Sequence, residues 1–376
     1  MLDHSNNMTL NKKLAVIGFS GLSGSTQVGL NVLLNISIPS QEKFCIFYGR
    51  TESINSGYLE ELNNLNIASE FVHKRTKGID IAAEYKVFKS LLKINPKNLI
   101  VASKASIFGI LFFKFFRPSA NIITIEQNPL NLPSVQEYVT SLISLIFFNK
   151  TIPATESYEK GFSKLMSPTS KIFKQKIRVI PNGLLIRRNS DIVVSREKNI
   201  ITLGMAARFD DVKDFSTVIK AVHLLNQRGG VRYKFLIAGD GQNRPTIEKL
   251  ISELKAEEYV SLLGMLKKSE LVNFYAKLDI YIQSTGGEAM SVSMMEAMGH
   301  GLPFIGSDVR GVQEFVSSGT NGILFKFGNI EDLTEKIDKV GSDSDYRSAL
   351  SDGALKTYDK HFSLDKMVNE YHSLLK

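Results

Sequence analysis

The sequence has one cysteine in 376 residues, Cys45. That excludes a disulfide framework and a thiolate metal site. Cys45 lies in the apolar run Phe44-Cys45-Ile46-Phe47-Tyr48, which reads as a buried strand. A single cysteine suits a reducing compartment. Long apolar runs are missing too. The run that follows Lys12-Lys13 covers only residues 14–19, too short for a signal-peptide core. No stretch reaches the roughly 18 apolar residues of a spanning helix. Residues 111–116 are interrupted by Lys114 and closed by Arg117-Pro118, and residues 139–148 are too few. The expected location is therefore cytoplasmic. The six histidines, at 4, 73, 223, 300, 361 and 372, have no metal-ligand spacing. A serine nucleophile elbow is absent as well.

What is present is globular: 43% hydrophobic and 22% charged residues, on a chain long enough for two α/β cores. The net charge of +8 is unevenly spread. Residues 1–190 hold 23 Lys and Arg against 12 Asp and Glu, while residues 191–376 hold 23 against 26. A basic first half beside a mildly acidic second half suggests that the first half meets an anionic partner: a membrane surface, a lipid pyrophosphate or nucleic acid. A solubilising lysine-rich surface is the alternative.

Short apolar runs alternate with helical patterns throughout. In the first half, strands are expected at 14–19, 44–48, 67–72, 99–102, 122–125 and 151–154. Helices are expected at 26–36, 79–92, 107–116 and 135–148. The second half repeats the scheme. Its strands fall at 200–205, 235–238, 260–263, 280–283 and 303–305, and its helices at 217–226, 246–254, 270–277 and 292–298. The fold class is α/β, with two Rossmann-like domains built on parallel sheets. Turn chemistry at Pro181-Asn182-Gly183 and a polar stretch at 187–198 put a boundary near residue 190. The expected domains are 1–190 and 191–360. Phe362, Met367, Tyr371, Leu374 and Leu375 lie at roughly helical spacing, so 361–376 reads as a C-terminal helix that could cross back to the first domain.

The most informative segment follows the strand at 280–283: Gly286-Gly287-Glu288-Ala289-Met290-Ser291-Val292, then Glu296-Ala297-Met298-Gly299-His300-Gly301-Leu302-Pro303. Two glycines open a loop and Ser291 is a suitable N-cap. A helix N-terminus at the carboxyl end of a parallel strand offers free N–H groups to an anion. Glu288 and Glu296 would repel a phosphate. They suit hydroxyl groups on either side of one, such as a sugar and a ribose.

This segment resembles the E-x7-E region of the large retaining GT-B glycosyltransferase family, family four or group 1 of the sugar-transferring enzymes. The resemblance implies two domains facing a central cleft. It implies that Glu288 holds donor-sugar hydroxyls and Glu296 the nucleotide ribose, while the backbone around Met290, Ser291 and Val292 approaches the phosphates. Arg208 and Lys213 lie on the loop after the strand at 200–205, at the spacing of the family's diphosphate-binding pair. Cations there would neutralise the leaving group; the alternative is a turn salt-bridged by Asp210, Asp211 and Asp214. Pro181-Asn182-Gly183, Ala238-Gly239-Asp240-Gly241 and Gly264-Met265 match further family turns, and Met265 would border the base.

The first half matches loosely. Its loop at 18–26 carries Gly21 and Gly24, which in the family close over the donor from the acceptor side. It has no Walker lysine and no proper G-x-G-x-x-G, so neither ATPase nor dinucleotide binding is supported. Where many relatives have a catalytic-site histidine, this chain has Gln127. An amide can polarise a hydroxyl but cannot act as a general base. Asp343-Ser344-Asp345 reads as a helix cap, not a metal-binding D-x-D.

The resemblance thus implies transfer of a hexose-type sugar from a UDP- or GDP-sugar to a glycan or lipid-linked acceptor, in surface polysaccharide or lipopolysaccharide synthesis. No metal, other cofactor or nucleic acid is expected. An anionic membrane surface is a further expected partner, met through Lys104, Lys114, Arg117 and Phe112, Phe113, Phe115 and Phe116; those rings could equally be core. The alternatives are a nucleotide-sugar epimerase of the same fold and a non-catalytic glycan- or membrane-binding module.

Overall fold

The computed structural model describes residues 9–21, 23–50, 53–76, 78–127, 135–156, 173–186, 199–287 and 290–376. The chain divides into two units, Met1–Gly183 with Leu364–Lys376, and Leu184–Ser363. Each is built on a six-stranded parallel sheet, the architecture expected from alternating strand and helix patterns.

In the first unit, β1 (Leu14–Phe19), β2 (Lys43–Gly49), β3 (Ala68–His73), β4 (Asn98–Val101), β5 (Asn121–Glu126) and β6 (Lys150–Pro153) lie in the order β3-β2-β1-β4-β5-β6. Helices α1 (Gly24–Asn35), α2 (Ser56–Asn64), α3 (Ile81–Ile94), α4 (Ile107–Phe116) and α5 (Val135–Phe147) connect them. Strand β2 is buried along its whole length, and β1 everywhere but Phe19. Helices cover both sheet faces, which is why these strands read as unbroken apolar runs rather than alternating ones. Asp80 caps α3, its Oδ1 accepting from the Ala83 N–H at 3.1 Å. Gly29 lets α1 sit close on the sheet: a Cβ there would come within 3.0 Å of both Ala102 and Val16 side-chain carbons.

The C-terminal helix, Leu364–His372, belongs to this first unit. Leu364, Met367, Val368 and Tyr371 are buried in a core shared with Val28, Leu30 and Ile180. Arg178 pairs with Glu370, and the Asn98 Oδ1 accepts from the Lys376 N–H at 2.9 Å. Phe362 is not part of this face. It lies buried in the other unit, 4.9 Å from the Phe315 ring. A π-helical turn at Tyr358–Phe362 ends one helix, and Ser363 is extended before the next begins. The helical register that links Phe362 to Met367 in the sequence is broken there.

In the second unit, β7 (Ile200–Ala206), β8 (Arg232–Ala238), β9 (Val260–Gly264), β10 (Ile280–Gln283), β11 (Phe304–Ser307) and β12 (Ile323–Phe325) lie in the order β12-β11-β10-β7-β8-β9. Helices α6 (Phe215–Arg228), α7 (Arg244–Glu253), α8 (Lys268–Ala276) and α9 (Val292–Gly299) follow the first four strands. Strand order reverses between β7 and β10. Open α/β sheets bind ligands at such a switch point, beyond the carboxyl ends of the strands. Asp343 is a helix cap, as expected: its Oδ1 accepts from the Asp345 and Tyr346 N–H groups at 3.1 and 2.9 Å. Among the described residues, no helix is long and apolar enough to cross a membrane.

Candidate functional site

The candidate site is the set of loops at the carboxyl ends of β7, β8, β9 and β10. Each is tied to its neighbours by main-chain hydrogen bonds. Ala207 N–H donates to Ala238 O at 3.0 Å, Phe209 N–H to Asp240 O at 2.9 Å, and Gly239 N–H to Gly264 O at 2.8 Å. Gly239 has φ +136°, and a Cβ there would lie 1.9 Å from Ala207 O. Only glycine allows the β8 turn to press this closely against the β7 loop.

Across the switch point the joining is closer. Lys213 and Thr285 form an isolated antiparallel bridge. Asp214 N–H donates to Ser284 O at 3.1 Å, and Gly286 N–H to Val212 O at 2.8 Å. Lys213 Nζ lies 3.4 Å from Thr285 Oγ1, which is fully buried and itself within 2.8 Å of Gly287 O. The loop carrying Lys213 is thereby fastened to the loop that carries Gly286 and Gly287 and leads to α9. The chain positions differ by more than 70 residues, yet the ladder leaves no freedom of register.

The acidic neighbours of Lys213 have other partners. Asp214 Oδ1 caps α6 by accepting from Thr217 N–H at 3.0 Å, and Asp211 accepts from Asn243 Nδ2 at 2.9 Å. Asp210 lies 3.5 Å from the Arg208 guanidinium, whose side chain is 85% exposed. The surface-turn alternative thus describes Arg208 as it stands, but the exposed pair is weak and leaves Arg208 open to exchange partners.

Ser291 caps α9, its Oγ accepting from Met294 N–H at 3.2 Å. Val292, on the first turn, is 51% exposed, while Met290 packs half-buried against the core. The first turn therefore presents N–H groups at the switch point. Glu296 sits one turn on. Its Oε2 accepts from the Tyr275 hydroxyl at 2.7 Å. Tyr275 is buried and stacks on the His300 ring at 5.1 Å, and burial holds its hydroxyl well above the usual tyrosine range, fully protonated. It is a donor that fixes one carboxylate oxygen. Nothing in the local sequence marks Tyr275, because its partner is 21 residues away. Met265 is 71% exposed just beyond β9. Glu288, with Ala289, lies outside the described residues.

In the first unit, Gly24 opens α1 with open space where a Cβ would be, whereas a Cβ on Gly21 would meet the Phe19 ring at 2.8 Å. Gln127 forms a reciprocal amide pair with Asn182: its Nε2 donates at 2.8 Å and its Oε1 accepts at 3.0 Å. That pair leaves one N–H and one lone pair of Gln127 for other use.

One cluster at the carboxyl ends of β4 and β5 corrects the sequence reading. Lys104 Nζ donates to both Glu126 oxygens, at 2.8 and 2.7 Å, and to Ser141 Oγ at 2.6 Å. Glu126 is buried. Lys104 is therefore no surface cation: a buried carboxylate needs a charged partner, and this lysine supplies it. Lys114 is likewise turned inward, donating to Pro118 O and Ala120 O at 2.8 and 2.7 Å, and Phe113 is core.

Residues 187–357, somewhat under half of the chain, match the family model of group 1 glycosyl transferases. The chain is 27% identical over 207 residues to the lipopolysaccharide core biosynthesis glycosyltransferase LpsE of Rhizobium meliloti (strain 1021), covering 54% of this chain and 58% of that one. It is 24% identical over 348 residues to the GtfA subunit of a UDP-N-acetylglucosamine–peptide N-acetylglucosaminyltransferase of Streptococcus parasanguinis, covering 88% and 66%. In both cases it spans less than two thirds of the relative's length. Among solved structures, Anabaena Alr3699/HepE in complex with UDP superposes with a TM-score of 0.79 at 15% identity, over 97% of this chain and 99% of the other. At that identity the likeness is one of fold.

Proposed function

We propose that a chain carrying a group 1 glycosyltransferase domain at residues 187–357 acts as a retaining glycosyltransferase. It moves a hexose-type sugar from a UDP- or GDP-sugar to a glycan or lipid-linked acceptor, in the cytoplasm, for surface polysaccharide or lipopolysaccharide synthesis. The observation that carries this reading is the ladder between residues 212–214 and 284–286, which holds Lys213 beside the loop into α9 at the sheet's switch point.

The donor diphosphate docks at the N-terminus of α9, where the first-turn N–H groups and the helix dipole favour an anion. Lys213, and Arg208 once released from Asp210, take up the charge that grows on the diphosphate as the glycosidic bond breaks. These two cations and the helix terminus supply the electrostatics for which other transferases use a divalent ion. Glu296, oriented by Tyr275, accepts from ribose hydroxyls, and Glu288 accepts from donor-sugar hydroxyls. The departing phosphate oxygen takes the acceptor's proton on the face where the acceptor attacks, so the anomeric configuration is kept. Acceptor recognition falls to the first unit, in which Gly21 and Gly24 serve the donor and Gln127 serves the reacting centre.

The relatives support the donor and acceptor classes. One is named for lipopolysaccharide core synthesis, another for transfer of N-acetylglucosamine from UDP, and the solved neighbour holds UDP. A thermal-shift screen of nucleotide sugars, followed by product analysis on the best binder, tests the reading. Acceptor-dependent release of nucleoside diphosphate is the expected result. Isomerisation of the donor without an acceptor would make the protein an epimerase instead, and binding without turnover a non-catalytic module.

A further inference from the structure

The first unit exposes an apolar face that its own fold does not use. On α3, Ile81, Tyr85 and Phe88 recur at one-turn spacing, and on α4, Phe112, Phe115 and Phe116 crowd the last turns. Ile81 is 80% exposed and the three α4 phenylalanines 58–63%. Their rings are in register with one another: Phe88 lies 5.4 Å from Phe116 and 6.3 Å from Phe112, and Phe115 continues the strip to Phe147 of α5 at 5.8 Å. Between α3 and α4 runs a groove of about 550 Å³, walled by Ile79, Ile81, Tyr85, Phe88, Phe108 and Phe112. Leaving this much contiguous aromatic surface in water is costly unless something covers it.

The exposed charges on α3 and just after α4 are of one sign. Lys86, Lys89 and Lys93 form the neighbouring stripe of α3, and Arg117 follows α4; all four are exposed. Lys89 lies over the Tyr85 ring, 5.0 Å from its centre, so the stem covers the aromatic edge while the ammonium stays in water. Residues 81–127 contain seven Lys and Arg and only two carboxylates, Glu84 and Glu126. Both are buried, Glu126 against Lys104 and Glu84 against the Gly109 N–H at 2.7 Å. Burial also lifts the Glu84 carboxyl to about 7, which lowers its negative charge beneath the groove near neutral pH.

We infer that the α3–α4 face docks on the surface of an anionic lipid bilayer, with Phe112, Phe116 and Ile81 entering the interface and Lys86, Lys89, Lys93 and Arg117 meeting the headgroups. Aromatic and aliphatic side chains rimmed by cations are the pattern of a helix pair lying in an interface. A second copy of the chain fits less well, since two-fold pairing through this face would set the same lysine stripes against each other. The inference does not depend on the donor site of the other unit.

Co-sedimentation of the full chain with phosphatidylcholine vesicles, with and without phosphatidylglycerol, tests it. The protein should pellet with the anionic vesicles at low salt, much less at high salt, and little with phosphatidylcholine alone. Phe112→Ser with Phe116→Ser should weaken partitioning by roughly tenfold or more. Lys86→Gln, Lys89→Gln and Lys93→Gln should each cost about fivefold; these exposed changes keep the test open should the phenylalanine variant misfold. Failure to pellet at low salt overturns the inference, as does pelleting that neither set of substitutions alters. Concentration-dependent dimers that Phe112→Ser abolishes, without vesicle binding, would overturn it in favour of a self-association face.

Discussion

The Tyr275 hydroxyl donates to Glu296 Oε2 at 2.7 Å, joining the end of α8 to the second turn of α9. One oxygen of Glu296 is thus held by a buried neutral donor, which sets the direction of the other. If Glu296 receives the ribose, Glu296→Ala should weaken nucleotide-sugar binding by about 1.5–3 kcal/mol, the worth of a charged hydrogen bond. Tyr275→Phe, which removes only the hydroxyl, should weaken it by a smaller amount. Titration calorimetry with the best-binding nucleotide sugar measures both. Equal affinity for wild type and Glu296→Ala removes the ribose assignment.

Lys213 is the residue that the ladder to Thr285 holds in place, and its charge should matter most at bond cleavage. Lys213→Ala should lose about 2.7–4 kcal/mol of transition-state stabilisation, as for a missing oxyanion donor. The loss should fall on kcat more than on donor affinity. Activity should also survive EDTA. Restoration by manganese or magnesium after EDTA has stopped the reaction would show that the two cations do not carry this role.

Glu84 gives the first unit a pH-dependent stability. Burial raises its carboxyl from 4.5 to about 7, opposed by the Gly109 N–H and by Lys74. A carboxyl raised in the folded state is most comfortable protonated. Its contribution is greatest below the unfolded value and is lost as pH climbs from 4.5 to about 7, on the order of 3 kcal/mol in all. Glu84→Gln keeps an oxygen for Gly109 and cannot ionise. The variant should melt higher than wild type at pH 8, with the gain shrinking towards pH 5. Parallel melting curves across that range would refute the account of Glu84.

Gly239 should tolerate no side chain. Its φ of +136° and the 1.9 Å approach to Ala207 O mean that Gly239→Ala must move the β8 turn off the β7 loop. A destabilisation of about 2 kcal/mol or more is expected, with loss of donor binding, from backbone strain of this kind. Chemical denaturation and the same titration check it; wild-type stability would show that the turn can shift freely.

Features that depend on neighbouring residues could be read from the chain. Strands β1 and β2 show as unbroken apolar runs because both faces are covered, and Ser291 and Asp343 show as caps because the residues they serve follow within three positions. What could not be read depends on distant partners. Nothing near Lys213 points to Thr285, nothing near Glu296 singles out Tyr275, and the Gln127–Asn182 pair spans 55 residues. Lys104 shows why charge alone misleads. Its sequence neighbours suggest a surface cation, but a carboxylate buried at the end of β5 claims it. Phe362 and Met367 show the same for periodicity, which a single π-turn interrupts.

The chemistry proposed is transfer with retention from a nucleotide sugar. Its most direct test is to incubate the protein with UDP- and GDP-hexoses and a glycan or lipid-linked acceptor, and to read the anomeric configuration of the product by NMR, with Glu288→Gln alongside. The expected result is an acceptor-dependent product whose anomeric configuration matches the donor's, made by wild type and abolished in Glu288→Gln, which still binds nucleotide. An inverted product, or one formed equally by Glu288→Gln, would contradict it.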